Sequence, residues 1–456
     1  MFTDLREFVE CLEKSGELIR VGQELSPQYE IPEAIRYAAR HSGQAILFER
    51  VEGYDIPVVG NLLGTRKRFA LALSTDEARS GEEYLVRKKT LIKPRIVDKA
   101  PVKEVILDKE INILKTIPVL THNEKDAGPY FTTAITIAKD PVTGIRGMGL
   151  HRIQVKDKDT LGILLASPPL SLFLKKAEER DEPLEIAIAC GMDPLTFFSA
   201  VIWAPEGIDK FDIAGALAQR PIELVKCQSV DLEVPARAEF VMEGSIIPHK
   251  REVEGPFGES NGYYFTFKSP VARIKVITHH HKPLYHALMT FSGEESVLMG
   301  ISWEMDNLEA IQRIFPQVKR IHLRNLAQVA IVQIEKNSEE DGNQVIKHIL
   351  SSQPFIKYVV LVDTDIDPYD LQEIEWALTT RLKPETGVSV IPDMVGVSME
   401  PYREEKELPS DFSLLMTKTI KIGLDATKPL EGIERFERIA VPPEVSNKIS
   451  KIMEKL

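Results

Sequence analysis

The segment Glu254–Tyr264 (EGPFGESNGYY) holds two carboxylates, Glu254 and Glu259, five positions apart around a Gly-Pro-x-Gly bend. Such a pair can share proton work between an ionised and a protonated acid, provided that one pocket receives both side chains. Gly255, Gly258 and Gly262 let the chain turn sharply and approach a ligand, and Pro256 fixes one backbone angle. On spacing alone an ordinary hairpin turn with two solvated glutamates competes with this reading.

Other clusters offer weaker chemistry. His279-His-His281 lies at a strand end, where consecutive side chains point to opposite faces, so three in a row do not converge on one ion. Asp363-Thr-Asp-Ile-Asp367 lacks the spacing of a calcium loop and, with Pro368, is expected to begin a helix. Gly144 to Gly149 has no G-x-G-x-x-G leading into a helix, which argues against a dinucleotide fold. Cys11, Cys190 and Cys227 are too far apart to suggest a disulfide framework.

The elements that must position these residues can be read in outline. With 456 residues, two or three domains are expected. Leu5, Phe8, Val9 and Leu12 recur at helical spacing, Glu17–Val21, Ala45–Phe48 and Ile56–Gly60 read as strands, and Glu33–Arg40 as a helix, giving a mixed α/β unit over residues 1–115. Residues 116–305 are rich in strand signals (Thr132–Ala138, His151–Val155, Glu185–Ala189, Ala238–Met242, Ala272–Ile277), interrupted by helical stretches at Leu170–Arg180 and Phe211–Leu217. A β-rich domain of barrel type is expected there. Residues 306–456 return to alternating strand and helix: Gln328–Ile334, Asn343–Ser351, Tyr358–Val362, Pro368–Leu382. A tail helix over Glu444–Leu456 carries Val445, Ile449 and Ile452 on one face and is expected to pack on a neighbouring subunit.

Composition excludes several classes of function. A formal net charge of -12 is the wrong sign for a general nucleic-acid binder. No apolar run approaches the ~20 residues that span a bilayer, and the N-terminus has acids where a signal peptide is basic, so a cytoplasmic protein is expected.

Taken with Met148–Val155 (MGLHRIQV), Pro57–Thr65 (PVVGNLLGT), Val225-Lys-Cys227, Ala238–Gly244 and Lys421–Thr427 (KIGLDAT), the acidic bend resembles the UbiD family of prenylated-flavin-dependent decarboxylases, over nearly the whole chain. The resemblance implies an N-terminal α/β domain, a central split β-barrel of flavin-reductase type and a C-terminal α/β oligomerisation domain. It also implies a catalytic trio of Arg152, Glu254 and Glu259, in which Arg152 holds the substrate carboxylate, Glu259 donates the proton that replaces carbon dioxide, and Glu254, tied to Arg152, tunes its neighbour. The cofactor it implies is prenylated FMN, which forms an adduct with an α,β-unsaturated or aromatic acid and acts as electron sink. Contacts to it are expected from Gly147, Met148, Leu150, His151, Arg152, Pro169, Ile202, Lys210 and Lys421. Ile202 and Trp203 could also be simple core residues.

One part of the family pattern is missing. The Asn, His and Glu that hold a divalent metal, usually manganese, fall on Gly147, Pro168 or Pro169, and Lys210. Either Lys210, assisted by Lys421, neutralises the cofactor phosphate in the metal's place, or the chain is a non-catalytic or cofactor-free subunit of a larger carboxylase complex. A shifted register would instead offer Glu206, Asp209 or Asp212. The expected partners are a small carboxylic acid, anhydromevalonate phosphate among the candidates, a prenyl-flavin synthase as cofactor supplier, and further copies of the chain as homodimer or hexamer.

Overall fold

The computed structural model describes residues 1–165, 167–325, 327–397 and 416–453. Residues 454–456 of the expected tail helix lie outside them. The first helix, Leu5–Lys14, is capped by the Asp4 side chain and buries Leu5, Phe8, Val9 and Leu12, as the apolar spacing requires. Among the described residues the strands form four sheets. A small mixed sheet orders Leu18–Leu25, Ala45–Val51, Val58–Gly60 and Tyr285–Ala287. Its last strand is contributed from far along the chain and pairs in parallel with Val58–Gly60.

The central sheet has nine strands, all paired antiparallel, and curls into a half-barrel. Its connectivity forces the curl. Arg146–Leu150 stands at one end of the strand order, while Ile153–Val155 is second from the other end. In a flat sheet those two strands, six spacings apart, would be about 29 Å from one another. Only His151 and Arg152 join them, and three peptide units reach at most about 11 Å. The sheet must therefore bend until its edges meet, and His151 and Arg152 lie on the seam. Arg152 was expected inside a strand; the strand begins one residue later, at Ile153.

Two long strands, Phe240–Gly258 and Tyr264–His279, form the hairpin that carries the two acids. The short strand expected near Ala238 runs on to Gly258 because register shifts between Glu243 and Gly244, Ile246 and Arg251, and Glu254 and Phe257 let it bend with the sheet. The five-stranded C-terminal sheet orders Val318–Arg324, Val329–Ile334, Tyr358–Asp363, Met416–Ala426 and Val388–Val397, flanked by the helices Asp341–Ser352 and Leu371–Thr380. The long helix Gly293–Gln312 runs from the hairpin tip to this sheet, and its buried Glu304 receives Arg66 and the Leu323 N–H.

One helix start differs from expectation. The acids of Asp363–Asp367 and Pro368 do not open a helix; it begins at Leu371, where Asp370 accepts the N–H of Gln372 at 2.8 Å. Asp363 and Asp365 instead bind the Arg381 guanidinium. No helix among the described residues is long and apolar enough to cross a membrane.

Candidate active site

The acidic bend is a hairpin, but its glutamates are not solvated. Glu254 pairs in register with Phe267, and Phe257 with Phe265, so Gly255 and Pro256 form a bulge between them. Gly255 has φ +104°, and a Cβ there would lie 2.7 Å from the Phe265 carbonyl oxygen, so only glycine fits without strain. The facing loop braces the bulge: Gly258 N–H donates to Asp126 Oδ1 and Ala127 N–H to the Pro256 carbonyl, each at 2.8 Å. Glu254 is fully buried and Glu259 is 9 % exposed.

From the seam, Arg152 forks to both acids. Nη2 donates to Glu254 Oε2 at 2.6 Å, and Nη1 to Glu259 Oε1. The rings of Phe257 and Phe267 flank the guanidinium at 5.1 and 4.9 Å, a desolvated cation–π setting. Burial works against the charge on Arg152, but Glu259 and Glu254 outweigh it and hold the proton more firmly than usual. Burial raises the proton affinity of Glu254, with Arg152 pulling the other way. Glu254 Oε1 has no hydrogen-bond partner. Tyr130, absent from the sequence reading, packs on Phe257 at 4.2 Å with its hydroxyl beside Glu254. His122 meets the Phe257 ring edge-on at 5.9 Å, and burial lowers its pKa to about 3.

Beyond Arg152 the expected cofactor side is partly assembled. A Cβ on Gly147 would sit 2.7 Å from the Pro169 and Phe173 side chains, so Gly147 and Pro169, expected to be neighbours, are in contact. Met148 and Ile202 share one buried cluster, with Leu150 packed against it. Trp203 is largely exposed, unlike Ile202 beside it. His151 is buried, and neither ring nitrogen has a hydrogen-bond partner. Burial, and then the nearby Lys210 charge, lower the His151 pKa to about 4. Lys210 opens the helix Lys210–Ala218 and is itself buried. Its Nζ donates to the Ala200 carbonyl at 2.8 Å, and burial lowers its pKa to about 8. Asp209 caps that helix and pairs with Arg146 at 2.6 Å. Lys421 is not brought to this place: it lies in the C-terminal sheet, where Nζ donates to the carbonyls of Leu350 and Gln353 at a helix end.

These residues suit an anion with hydrogen-bonding edges better than a metal ion. Lys210 is a buried cation whose hydrogen-bond partner is a neutral carbonyl, and His151 and Arg152 Nε leave buried polar atoms unpaired. A buried nitrogen without a partner is costly unless a ligand supplies one. Gly147 and Pro169 offer no ligating side-chain atom, and the Lys210 ammonium would repel a divalent cation.

The chain matches three family models in succession: the 3-octaprenyl-4-hydroxybenzoate carboxy-lyase N-terminal domain over residues 9–88, the Rift-related domain over 95–293 and the C-terminal domain over 296–426. It is 33% identical to the anhydromevalonate phosphate decarboxylase of Methanothermobacter thermautotrophicus, covering 94% of this chain and 98% of the relative. The phenolic acid decarboxylase of Sedimentibacter hydroxybenzoicus is 32% identical, with 97% and 96% covered. Among solved structures, the UbiD-class enzyme HmfF from Pelotomaculum thermopropionicum, in complex with FMN, aligns with TM-score 0.92 and 39% identity over 98% of this chain and 99% of that one. By these matches along its length, the chain belongs to the UbiD family.

Proposed function

We propose that the protein is a prenylated-FMN-dependent carboxy-lyase acting, in one or both directions, on a small α,β-unsaturated or aromatic carboxylic acid. The observation that carries this reading is the buried fork of Arg152 onto Glu254 and Glu259 at the seam of the half-barrel. A chain with no use for charge there would gain by replacing the three with apolar residues, since buried ion pairs rarely repay their desolvation. The names of the relatives support two substrate classes, anhydromevalonate phosphate and phenolic acids.

The residues divide the work by charge. The substrate carboxylate competes for the guanidinium of Arg152, which can bind it through a planar fork. Glu259 is the acid that yields, because it is the more exposed of the two and lies on the hairpin tip. Displaced from Arg152 beside an arriving anion, Glu259 becomes the donor to the carbon that loses carbon dioxide. Glu254 stays on Arg152 and fixes its plane. When bound, prenylated FMN would supply the electron sink. Met148, Leu150, Ile202, Gly147 and Pro169 would hold its apolar and edge surfaces, His151 and Arg152 its polar edge, and Lys210 its phosphate, without manganese. Lys421 would act on that phosphate only after leaving the helix end that it now caps.

A prenyl-flavin synthase would supply the cofactor, and self-association as dimer or hexamer would use the C-terminal region. Its terminal helix Pro443–Met453 buries no residue within one chain and leaves Val445, Ile449 and Ile452 exposed. Production together with a prenyl-flavin synthase tests the reading. The expected product retains a flavin chromophore, lacks stoichiometric manganese and releases carbon dioxide from a member of a panel of unsaturated and aromatic acids. Stoichiometric manganese would refute replacement of the metal by Lys210, and absence of flavin would refute the cofactor assignment.

A further inference from the structure

Ser260, on the hairpin tip, hydrogen-bonds two acids at once. Its N–H donates to Glu259 Oε2 at 3.4 Å, and its hydroxyl donates to Glu295 Oε1. Glu295 stands in the first turn of the helix Gly293–Gln312, whose N-cap is Ser292, and its second oxygen accepts the Phe291 N–H at 2.8 Å. Ser292-Gly-Glu-Glu295 has the spacing of a capping box, which by itself explains a glutamate there. It does not explain why that glutamate is fastened to the catalytic hairpin. Two further contacts draw the tip to the same helix end: Thr290 Oγ1 donates to the Gly258 carbonyl at 2.7 Å, and a Cβ on Gly262 would lie 3.6 Å from the Phe291 ring.

The charge pattern along this chain of contacts is unbalanced. Glu254, Glu259 and Glu295 follow one another, but the only cation among them is Arg152, and it serves the first two. The groups that bear on Glu295 are the Ser260 hydroxyl, the Phe291 N–H and the Glu259 carboxylate; no cation is among them. The helix N-terminus and the two donors favour an ionised Glu295. Glu295 is half-buried; that desolvation comes first in the opposite direction, Glu259 adds repulsion, and together they push its pKa up to about 7.

Resting on the decarboxylase reading, we infer that Glu259 and Glu295 are a coupled pair sharing one proton, with Glu295 the positioning residue that keeps the proton donor loaded. In the resting site Glu259 is paired with Arg152 and Glu295 carries the proton. When a substrate carboxylate takes Arg152, the O–H bond on Glu295 breaks and one forms on Glu259. The negative charge ends on Glu295, where Ser260, the Phe291 N–H and the helix N-terminus stabilise it. After Glu259 gives its proton to the product, water reprotonates the pair.

Infrared titration of the full-length protein as purified tests the pair without any substrate. Wild type is expected to show a protonated-carboxyl band at pH 6 that fades as pH rises through about 7. That band is absent from Glu295→Gln. In Glu259→Gln it persists but with a lower midpoint, because the like charge is gone, and in Ser260→Ala its midpoint rises. An unchanged band in Glu295→Gln, or the same midpoint in Glu259→Gln as in wild type, would overturn the pair. In flavin-loaded enzyme with an acid that wild type consumes, Glu295→Gln should lower kcat on the order of tenfold at unchanged KM and displace the pH–rate profile, with Glu295→Asp restoring both in part. A purely structural role would leave the profile in place, and that result also overturns the inference. If loaded wild type consumes no acid at all, the decarboxylase reading falls, while the infrared midpoints still decide the coupling.

Discussion

Arg152 and Glu254, 102 positions apart in sequence, meet at 2.6 Å with the carboxylate wholly removed from solvent. The pair joins the seam of the half-barrel to the bulge of its longest hairpin. Substituting Glu254 by Ala leaves the guanidinium buried with Glu259 alone. The expected cost is roughly 2–4 kcal/mol, toward the lower part of the range for broken buried pairs because one partner remains. Urea unfolding should show it, with Glu254→Gln costing less. A loss under 0.5 kcal/mol, the size of an ordinary surface change, would mean that the pair is not structurally important.

Lys210 is expected to be a functional residue held at the expense of stability. Its folded-state pKa, near 8, lies below the ordinary 10.5, so the fold disfavours the ammonium. That penalty is fully present below pH 8 and vanishes above about 10.5. Lys210→Met should therefore be more stable than wild type at pH 7, by roughly 1–3 kcal/mol after loss of the bond to Ala200, and this advantage should disappear at pH 11. The same variant should lose flavin on gel filtration. Full flavin retention would remove Lys210 from the phosphate site.

His151 makes the same demand in a lower pH range. Its pKa in the fold is about 4, below the ordinary 6.5, so the unfolded chain takes up a proton first as pH falls. The His151 contribution is intact above pH 6.5 and is lost as pH drops toward 4. His151→Gln should lose less stability than wild type between pH 7 and pH 5. Parallel urea midpoints for the two proteins across that interval would show that the ring is not buried in its neutral form.

Residues near one another in sequence were largely legible, and residues brought together by the curl of the sheet were not. The first helix, the Ala45 strand and the tail helix follow from local periodicity and caps, which act within a few residues. The acids of the bend were visible as chemistry, and even their hairpin was foreseen as the bland reading. Their burial was not, because it comes from the Asn123–Ala127 loop and from Arg152 across the seam. Family resemblance supplied Arg152; spacing alone placed it inside a strand. Tyr130 and Glu295 are not legible in the sequence because their partners, Phe257 and Ser260, are contacts of the folded sheet. The capping-box spacing at Ser292 could have marked the helix start, though not its tie to the hairpin. Asp363 does not open a helix because Arg381, 18 residues on, takes up its charge.

The most direct test of the central claim compares wild type with Glu259→Gln, both loaded with prenylated FMN, for carbon dioxide release from an acid that wild type consumes. Loss of the proton donor should lower kcat by on the order of a hundredfold or more while the flavin spectrum and stoichiometry stay unchanged. Turnover at the wild-type rate by a flavin-replete Glu259→Gln protein would contradict the account.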